Sequence, residues 1–229
     1  MNPQDSQIHF WAVVVSLMPD SLPQMDVDRP GPGEELNPSG QASTPRVAAS
    51  VIVLRGAGEG LEVLLVRRTP EARFMGGVWV FPGGAVDAGE DEAGAALREL
   101  EEEAGVTVDD PGTLVRFSRW ITPAEVKIRF DTHFFLARVP EQAQPRIDGS
   151  ECVDVGWFTP RRALEAGEAG DILLVFPTIK TLQALARFGS AEELLSWADG
   201  REVVPVQPRV VVEGEVARVI LPGEPGYQG

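Results

Sequence analysis

The sequence predicts an α+β fold in which a mixed β-sheet is sandwiched between helices, with a helical extension at the C-terminus. Short apolar or alternating segments, separated by turns that contain Gly and Pro, are typical of strands. One amphipathic helix interrupts this series, and the other helical segments come near the end of the chain, which favours helices on both faces of the sheet. A length of 229 residues with 43% apolar residues suits one domain with extensions.

The first strands precede an acidic helix. Residues 47–54 are an almost continuous apolar run and are predicted to be a buried strand. A glycine-rich turn and a second strand at 61–67 complete a predicted hairpin. A polar loop then leads to a third strand at 78–81, and Pro82-Gly83-Gly84 is predicted to turn the chain.

The next segment, 91–104, has helical spacing. We expect Ala93, Ala96, Leu97, Leu100 and Ala104 to form its buried stripe, and Gly105 to end it.

Three more strands are predicted after this helix, at 114–120, 129–139 and 151–158. The second alternates, with one set of side chains on each face. One set is Phe130, Thr132, Phe134 and Leu136, and the other is Asp131, His133, Phe135 and Ala137. A hydrogen-bonded structural role is favoured for His133 over a catalytic base. Thr159 before Pro160 predicts the start of a short helix that ends near residue 166.

The C-terminal extension, from about residue 167, is predicted to contain two helices and two β-like runs. The helices cover 178–188 and 191–198, and Ser190 with Glu193 resembles a capping box. The β-like runs cover 203–212 and 216–221. This extension can cap the sandwich, form the contact of a homodimer or shape a substrate pocket, and capping is favoured.

Composition excludes several kinds of partner. The formal charge of −15, without a basic stripe, argues against nucleic acid and against anionic membrane surfaces. The apolar run at 8–18 is too short to span a bilayer. The single cysteine, Cys152, fits a reducing cytoplasm and is predicted to be a buried structural thiol. Residues 1–45 are predicted to be a flexible tail, and 46–229 to be the folded domain.

The acidic helix is the strongest functional signal. Glu99, Glu102 and Glu103 stand at i, i+3 and i+4, so one helix face carries three carboxylates. They lie near the helix C-terminus, where the helix dipole disfavours negative charge. Such a group suits a hard divalent cation, Mg²⁺ or alternatively Mn²⁺, which prefers oxygen ligands.

The segment from Gly84 to Val106 resembles the Nudix box, Gly-x5-Glu-x7-Arg-Glu-U-x-Glu-Glu-x-Gly-U, where U is a bulky aliphatic residue. The matching residues are Gly84, Glu90, Arg98, Glu99, Leu100, Glu102, Glu103, Gly105 and Val106. The resemblance implies a Nudix-type α/β/α sandwich and hydrolysis of a diphosphate linked to a further group, usually in a nucleoside diphosphate derivative.

The same resemblance assigns roles to individual residues. It implies metal binding by Glu99, Glu102, Glu103 and the Gly84 carbonyl, and that one of these carboxylates can act as base. Arg98 would orient them, and Glu90 would be structural. Family members often add a carboxylate from outside the box, for which Glu151 is the first candidate and Glu125 the second.

A second resemblance lies upstream of the box. Coenzyme A diphosphatases of this family carry Leu-Leu-Thr-x-Arg-Ser-x3-Arg-x3-Gly-x3-Phe-Pro-Gly-Gly. This chain matches at Leu64, Leu65, Arg68, Arg73, Gly77, Phe81, Pro82, Gly83 and Gly84, while Val66 and Thr69 replace the Thr and Ser. The resemblance implies that Arg68 and Arg73 bind substrate phosphates. Coenzyme A or its acyl esters are the first substrate candidates.

Other functions stay open from sequence alone. ADP-ribose, nucleotide sugars, dinucleotides and oxidised nucleotides are alternative substrates. A non-catalytic Nudix ligand sensor is a different class, but such proteins commonly lose box carboxylates that this chain keeps. A role in mRNA decapping is disfavoured by the acidic charge.

Overall fold

The fold of this chain is known from a computed structural model, which describes residues 36–37, 39–56, 60–72, 75–147, 149–213 and 216–227. The strands are β1 (Arg46–Arg55), β2 (Glu62–Arg68), β3 (Trp79–Val80), β4 (Gly83–Ala85), β5 (Val115–Ile121), β6 (Phe130–Arg138), β7 (Cys152–Phe158), β8 (Arg209–Glu213) and β9 (Val216–Ile220). The α-helices are α1 (Glu92–Ala104), α2 (Pro160–Ala169), α3 (Phe176–Leu185) and α4 (Ala191–Ala198).

Strands β1 to β7 form one mixed sheet. Its main path runs β3-β2-β1-β6-β5, while β4 pairs with β1 and β7 pairs with β2. Strand β1 is central, because it lies parallel to β6 and antiparallel to β2 and β4. The predicted hairpin of the first two strands is confirmed by the pairing of Leu54 with Val63.

Each face of the sheet has its own apolar core. Helix α1 packs on one face through Ala95, Ala96, Leu100 and Ala104. Helices α2, α3 and α4 pack on the other face, where Leu182, Leu185 and Leu194 are fully buried. The predicted sandwich is therefore confirmed, and the C-terminal helices cap it as expected.

Helix α1 begins and ends where its sequence predicts. The Asp91 side chain accepts a 2.7 Å hydrogen bond from the Gly94 amide, and Gly105 adopts a left-handed conformation with φ 59°. The predicted buried stripe is partly wrong. Ala95, which was not expected in it, is buried, whereas Leu97 is only half-buried. Glu103 is also buried, since the helix turns this carboxylate toward the sheet.

The segment predicted as a turn before α1 is instead the short strand β4. Ala85 pairs with Ala48, and Gly83 pairs with Ser50, in antiparallel register with β1. The prediction from Pro82-Gly83-Gly84 was wrong because these glycines permit close backbone packing rather than a reversal. At Gly83 a Cβ would lie 2.4 Å from the carbonyl oxygen of Ala49.

The alternation predicted for β6 is confirmed. Phe134 and Leu136 belong to the core beneath α2–α4, whereas Phe135 and Ala137 belong to the core beneath α1. The structural role favoured for His133 agrees with its contact at 3.2 Å between Nδ1 and Arg116 Nη1.

Strand β7 begins at Cys152 and is followed directly by Thr159. Cys152, at its start, is completely buried, as predicted. Thr159 caps α2 by accepting a 3.3 Å hydrogen bond from the Arg162 amide.

The end of the chain forms a β-hairpin from β8 and β9. The first β-like run was expected from residue 203, but pairing begins only at Arg209, after the prolines at 205 and 208. Before the hairpin, Val206 bridges to Trp120 of β5, and its carbonyl accepts a 2.9 Å hydrogen bond from the Ile121 amide. The hairpin is thus attached to the β5 edge of the sheet.

Part of the segment predicted as a tail contacts the loop between β5 and β6. Leu36 bridges to Val126, and the Asn37 amide donates a 2.7 Å hydrogen bond to the Glu125 carbonyl. Residues 1–35, which hold most of the predicted tail, lie outside the described residues. In the described ranges we find no helix of the length and apolarity that crossing a membrane requires.

Candidate active site

Strand β4 lies so close to α1 that a helix carboxylate touches its backbone. A Cβ at Gly84 would be 2.2 Å from Oε1 of Glu99, so this carboxylate fills the space that a side chain would need. Glycine therefore permits the close approach of the backbone to Glu99. The carbonyl predicted to bind metal belongs to this residue.

Glu103 is a buried carboxyl group beside β4. The residue is 3% exposed, and its Oε2 accepts a 2.9 Å hydrogen bond from the Gly83 amide. Burial raises the pKa of Glu103 to about 7; the Glu99 carboxylate adds to the rise, while the Gly83 amide, the Arg68 charge and the Cys152 thiol oppose it. A buried acid with such a pKa is typical of functional sites.

Arg98 connects the other carboxylates of the box. Its Nη1 donates hydrogen bonds of 2.8 Å to Glu99 and 3.0 Å to Glu102. Both Glu90 oxygens accept from the same guanidinium at 3.1 Å, as does the Ala85 carbonyl. The hydrogen bond to Glu90 is the main reason that the pKa of Arg98 is raised and that of Glu90 lowered. These contacts suit the orienting role predicted for Arg98.

The three predicted metal ligands differ in their surroundings. Burial raises the pKa of Glu99; the Arg98 hydrogen bond opposes this, and the Glu102 and Glu151 charges reinforce it. The side chain of Glu102 is 60% exposed, whereas Glu103 is buried. The single helix face predicted from the sequence therefore runs from the solvent into the protein.

The predicted ligands are of the chemical type that a hard divalent cation prefers. They are all oxygens, and the glycine backbone leaves room for a carboxylate that a Cβ would displace. As the side chains stand, no three Asp, Glu, His or Cys side chains in the described ranges are arranged to hold a metal ion. Arg98 engages Glu99 and Glu102, and the Gly83 amide engages Glu103. Metal binding by these residues stays a prediction.

Two further predicted residues line the same cavity as these carboxylates. Arg68, at the end of β2, lies opposite Cys152 of β7, and the Glu151 carbonyl accepts a 2.8 Å hydrogen bond from the Thr69 amide. This pairing brings Arg68 and Glu151 to the cavity. Nε of Arg68 is buried, and no hydrogen-bond partner for it is found among the described residues. Arg73, the other predicted phosphate ligand, lies outside the described residues.

Glu125, the second candidate for the additional carboxylate, is engaged elsewhere. Its Oε1 accepts a 2.6 Å hydrogen bond from Arg209 Nε, and its Oε2 accepts one of 3.2 Å from the Val210 amide. Burial alone would raise the pKa of Glu125, but the Arg209 hydrogen bond and two backbone N–H groups lower it. Glu125 therefore fastens the hairpin to the β5–β6 loop.

Paired substitutions should separate these two carboxylates. We expect Glu151→Gln to reduce kcat by at least about 100-fold if Glu151 is the base, with little change in melting temperature. Glu125→Gln should instead cost about 1 kcal/mol of stability, because it removes a partly exposed ion pair. Steady-state kinetics and thermal unfolding check both variants. Equal kcat for Glu151→Gln and the wild type would remove Glu151 from the catalytic residues.

The cavity that contains the site has a volume of about 470 Å³. Three carboxylates, those of Glu99, Glu103 and Glu151, line it together with Arg68. The rest is mainly aromatic and aliphatic. Such a size is within the range of about 300–1,000 Å³ for small-molecule sites.

Several lining residues were not predicted from the sequence. Trp120 and Phe176 stack edge to face with ring centroids 6.2 Å apart, and Arg46 lines the cavity from the start of β1. Val210 and Val219 line it from the hairpin. The alternation of β6 could have predicted that Phe130, Thr132 and Phe134 share one wall of the cavity. No local sequence pattern connects the hairpin with the site.

Comparison with known proteins agrees with the box. The family model of the NUDIX domain matches residues 44–176. A crystal structure of a NUDIX hydrolase from Alicyclobacillus acidocaldarius superposes with a TM-score of 0.60 at 30% identity, covering 67% of this chain and 96% of that one.

Two relatives align with different fractions of this sequence. A Caenorhabditis elegans protein named as nudix hydrolase 7 is 26% identical over 221 residues, covering 80% of this chain and 74% of its own. The acyl-coenzyme A diphosphatase NUDT19 of Homo sapiens is 29% identical over 123 residues, which cover 52% of this chain but only 33% of the human protein. Because the family model matches more than half of the sequence, this chain belongs to the Nudix family.

Proposed function

We propose that this protein hydrolyses the diphosphate linkage of coenzyme A or acyl-coenzyme A in a reaction that depends on Mg²⁺, with Mn²⁺ as a substitute. Family membership carries the coarser statement, that the chain is a hydrolase of phosphorus anhydride bonds. The observation that carries the proposal is one cavity lined by Glu99, Glu103 and Glu151 together with Arg68, with mainly apolar residues on the remaining walls. The lone cysteine supports a cytoplasmic location.

The metal would be held by Glu99, Glu102, Glu103 and the Gly84 carbonyl. When bound, such an ion offsets the charge of the diphosphate and lowers the pKa of a coordinated water. A bound cation would be needed for this purpose because the net charge of the chain, −15, repels an anionic substrate.

The side chains around this position have separate tasks. Arg68 would bind a phosphate oxygen, since its Nε has no hydrogen-bond partner within the part of the chain that the structure describes. Arg98 would position Glu99 and Glu102 through the hydrogen bonds that it already donates. Glu151 would accept a proton from the attacking water. Its charge contributes to the raised pKa of Glu99, which indicates that the two carboxylates lie close together.

The choice of coenzyme A rests on two observations. The pattern from Leu64 to Gly84 resembles that of coenzyme A diphosphatases, and the human relative that carries this activity in its name matches about half of the chain. ADP-ribose, nucleotide sugars and dinucleotides are the alternative substrates. A ligand sensor is the alternative of another class, and retention of every box carboxylate disfavours it.

A substrate panel tests the proposal. We expect hydrolysis of coenzyme A or an acyl ester in the presence of Mg²⁺, and none after the metal is removed with a chelator. The panel includes ADP-ribose, NADH and diadenosine polyphosphates. Turnover of one of these without turnover of coenzyme A would contradict the substrate, and no phosphate-containing product from any compound would favour the sensor.

Arg73 provides a sharper test of the same substrate. Arg73→Ala should raise the KM for coenzyme A about tenfold to a hundredfold, because a charge-assisted hydrogen bond to phosphate is lost. If Arg73 binds the 3′-phosphate, dephospho-coenzyme A should be affected less. Arg161→Ala, at an exposed position on α2, is the control for loss of a positive charge. Equal effects on both compounds would place Arg73 on the diphosphate.

A further inference from the structure

We propose that the part of the cavity lined by the β8–β9 hairpin binds an aliphatic group that the substrate carries on its diphosphate, and that Val219 limits the length of this group. The inference rests on the proposed diphosphate hydrolysis and extends it to the part of the substrate that does not react. It assigns a specificity role to a segment beyond residues 44–176, the span matched by the family model.

Among the hairpin side chains that the structure describes, those at 209–211 and 218–220, one face reaches the cavity. Val210 and Val219 are directly paired across the two strands, and both line it. The next pair, Val211 and Arg218, projects from the opposite face because side chains alternate along a strand. Neither of these two lines the cavity. A substitution at Val219, which lines the cavity, can therefore be compared with the same substitution at Val211, on the opposite face of the hairpin.

The hairpin is fixed in place as a wall of the cavity. Arg209 and Val210 both donate hydrogen bonds to the Glu125 carboxylate. Just before β8, Val206 exchanges backbone hydrogen bonds of 2.8 and 2.9 Å with Arg119 and Ile121 of β5. The hairpin is thus attached both at Val206 and at the start of β8, and Val210 is buried, with 7% exposure. The position of Val219 relative to the carboxylates is thus set by the fold.

The residues at this end favour an aliphatic occupant over a nucleobase. The hairpin contributes Val210, Val219 and the preceding Pro208, and the adjoining chain contributes Leu36 and Val126. A buried base requires partners for its ring nitrogens and exocyclic groups, and leaving these unpaired is costly. An alkyl chain has no such requirement. The same cavity holds Glu99 and Glu103, so one molecule can place its diphosphate there and its alkyl group against the hairpin.

Alkyl esters of ADP of increasing chain length test the proposal. KM is measured for hydrolysis with Mg²⁺, and Kd by calorimetry for the unreactive methylene-bridged analogues of the same esters. Both constants should fall by up to about fourfold for each methylene that enters the apolar end, until the space is filled. Val219→Trp should end this trend at shorter chains, and Val219→Ala should extend it to longer ones. Val211→Trp and Val211→Ala, on the other face, should follow the wild type.

The outcomes distinguish the inference from the proposed function. Hydrolysis with no dependence of KM or Kd on chain length would overturn the inference and leave the diphosphatase function intact. Chain-length-dependent Kd values without hydrolysis of any ester or of coenzyme A would support the inference and refute the function. Equal shifts from the Val219 and Val211 variants, or tighter binding of a second adenosine than of any alkyl chain, would also overturn it. The opposite shifts of Val219→Trp and Val219→Ala keep the test valid if one variant does not fold.

Discussion

Glu103→Gln should reduce kcat by at least about 100-fold, which corresponds to a loss of about 2.7 kcal/mol of transition-state stabilisation. The amide has nearly the same shape and can still accept the hydrogen bond from Gly83, but it lacks the negative charge that binds a divalent cation. Steady-state kinetics at saturating Mg²⁺ measure the effect. Wild-type turnover by this variant would remove Glu103 from the site.

The same substitution should stabilise the metal-free protein above neutral pH. Glu103 has a pKa of about 7 in the folded state and an ordinary value of 4.5. Because the folded state holds the proton more tightly, its stability is greatest below about 4.5 and declines as the pH rises toward about 7. A shift of this size corresponds to roughly 3 kcal/mol, so Glu103→Gln should recover on the order of 1–3 kcal/mol at pH 8.

Unfolding measured against pH in the presence of chelator checks this gain. The wild-type protein should lose stability between pH 5 and 7 (the limits follow from the two pKa values). The variant should lose less, with the remaining slope due partly to the raised pKa of Glu99. A variant less stable than the wild type at pH 8 would show that Glu103 is needed for folding.

Gly84→Ala should reduce activity strongly while changing stability little. The three atoms nearest to the new methyl group would all belong to the carboxylate of Glu99, at 2.2–2.7 Å, and this end of a flexible side chain can move away. The displaced carboxylate would no longer occupy its position beside β4, and a misplacement of about 1 Å can cost about 100-fold in rate. Kinetics and thermal unfolding of the same preparation measure both quantities.

Gly83→Ala provides the opposite combination and serves as the comparison. Its methyl group would meet the Ala49 carbonyl oxygen at 2.4 Å and the Cα of Ser50 at 2.6 Å, neither of which can move without the strand. We expect a loss of about 1–3 kcal/mol in stability. Gly189→Ala, whose methyl group would lie 3.6 Å from Oε2 of Glu193, should alter neither property. Equal destabilisation at 83 and 84 would show that Glu99 is held rigidly.

The helix and its carboxylates could be predicted because their signals are local. Asp91 and Gly105 mark the ends of α1 within a few residues of the pattern itself, and the spacing of Glu99, Glu102 and Glu103 fixes their order on the helix. The burial of Glu103 could not be predicted in the same way. An acidic residue is expected to face the solvent, and only the approach of β4 to α1 reverses this.

The rest of the cavity depends on contacts between distant parts of the chain. Leu36 reaches it through a bridge to Val126, and Val210 reaches it through Glu125, 85 residues earlier in the sequence. No periodicity or short motif encodes such a pairing. The same limit applies to β4, because its partner strand β1 is separated from it by β2 and β3.

The hairpin also bears on how such enzymes diversify. On the proposed assignment, bond cleavage and selection of the aliphatic group would reside in separate lengths of this chain, since the box lies between Gly84 and Val106 and the hairpin begins at Arg209. Exchange of the terminal segment between homologues would transfer selectivity and leave the catalytic helix unchanged. Two proteins with identical boxes could therefore act on different metabolites, and substitutions that redirect this scaffold should be sought in the hairpin, between Arg209 and Ile220.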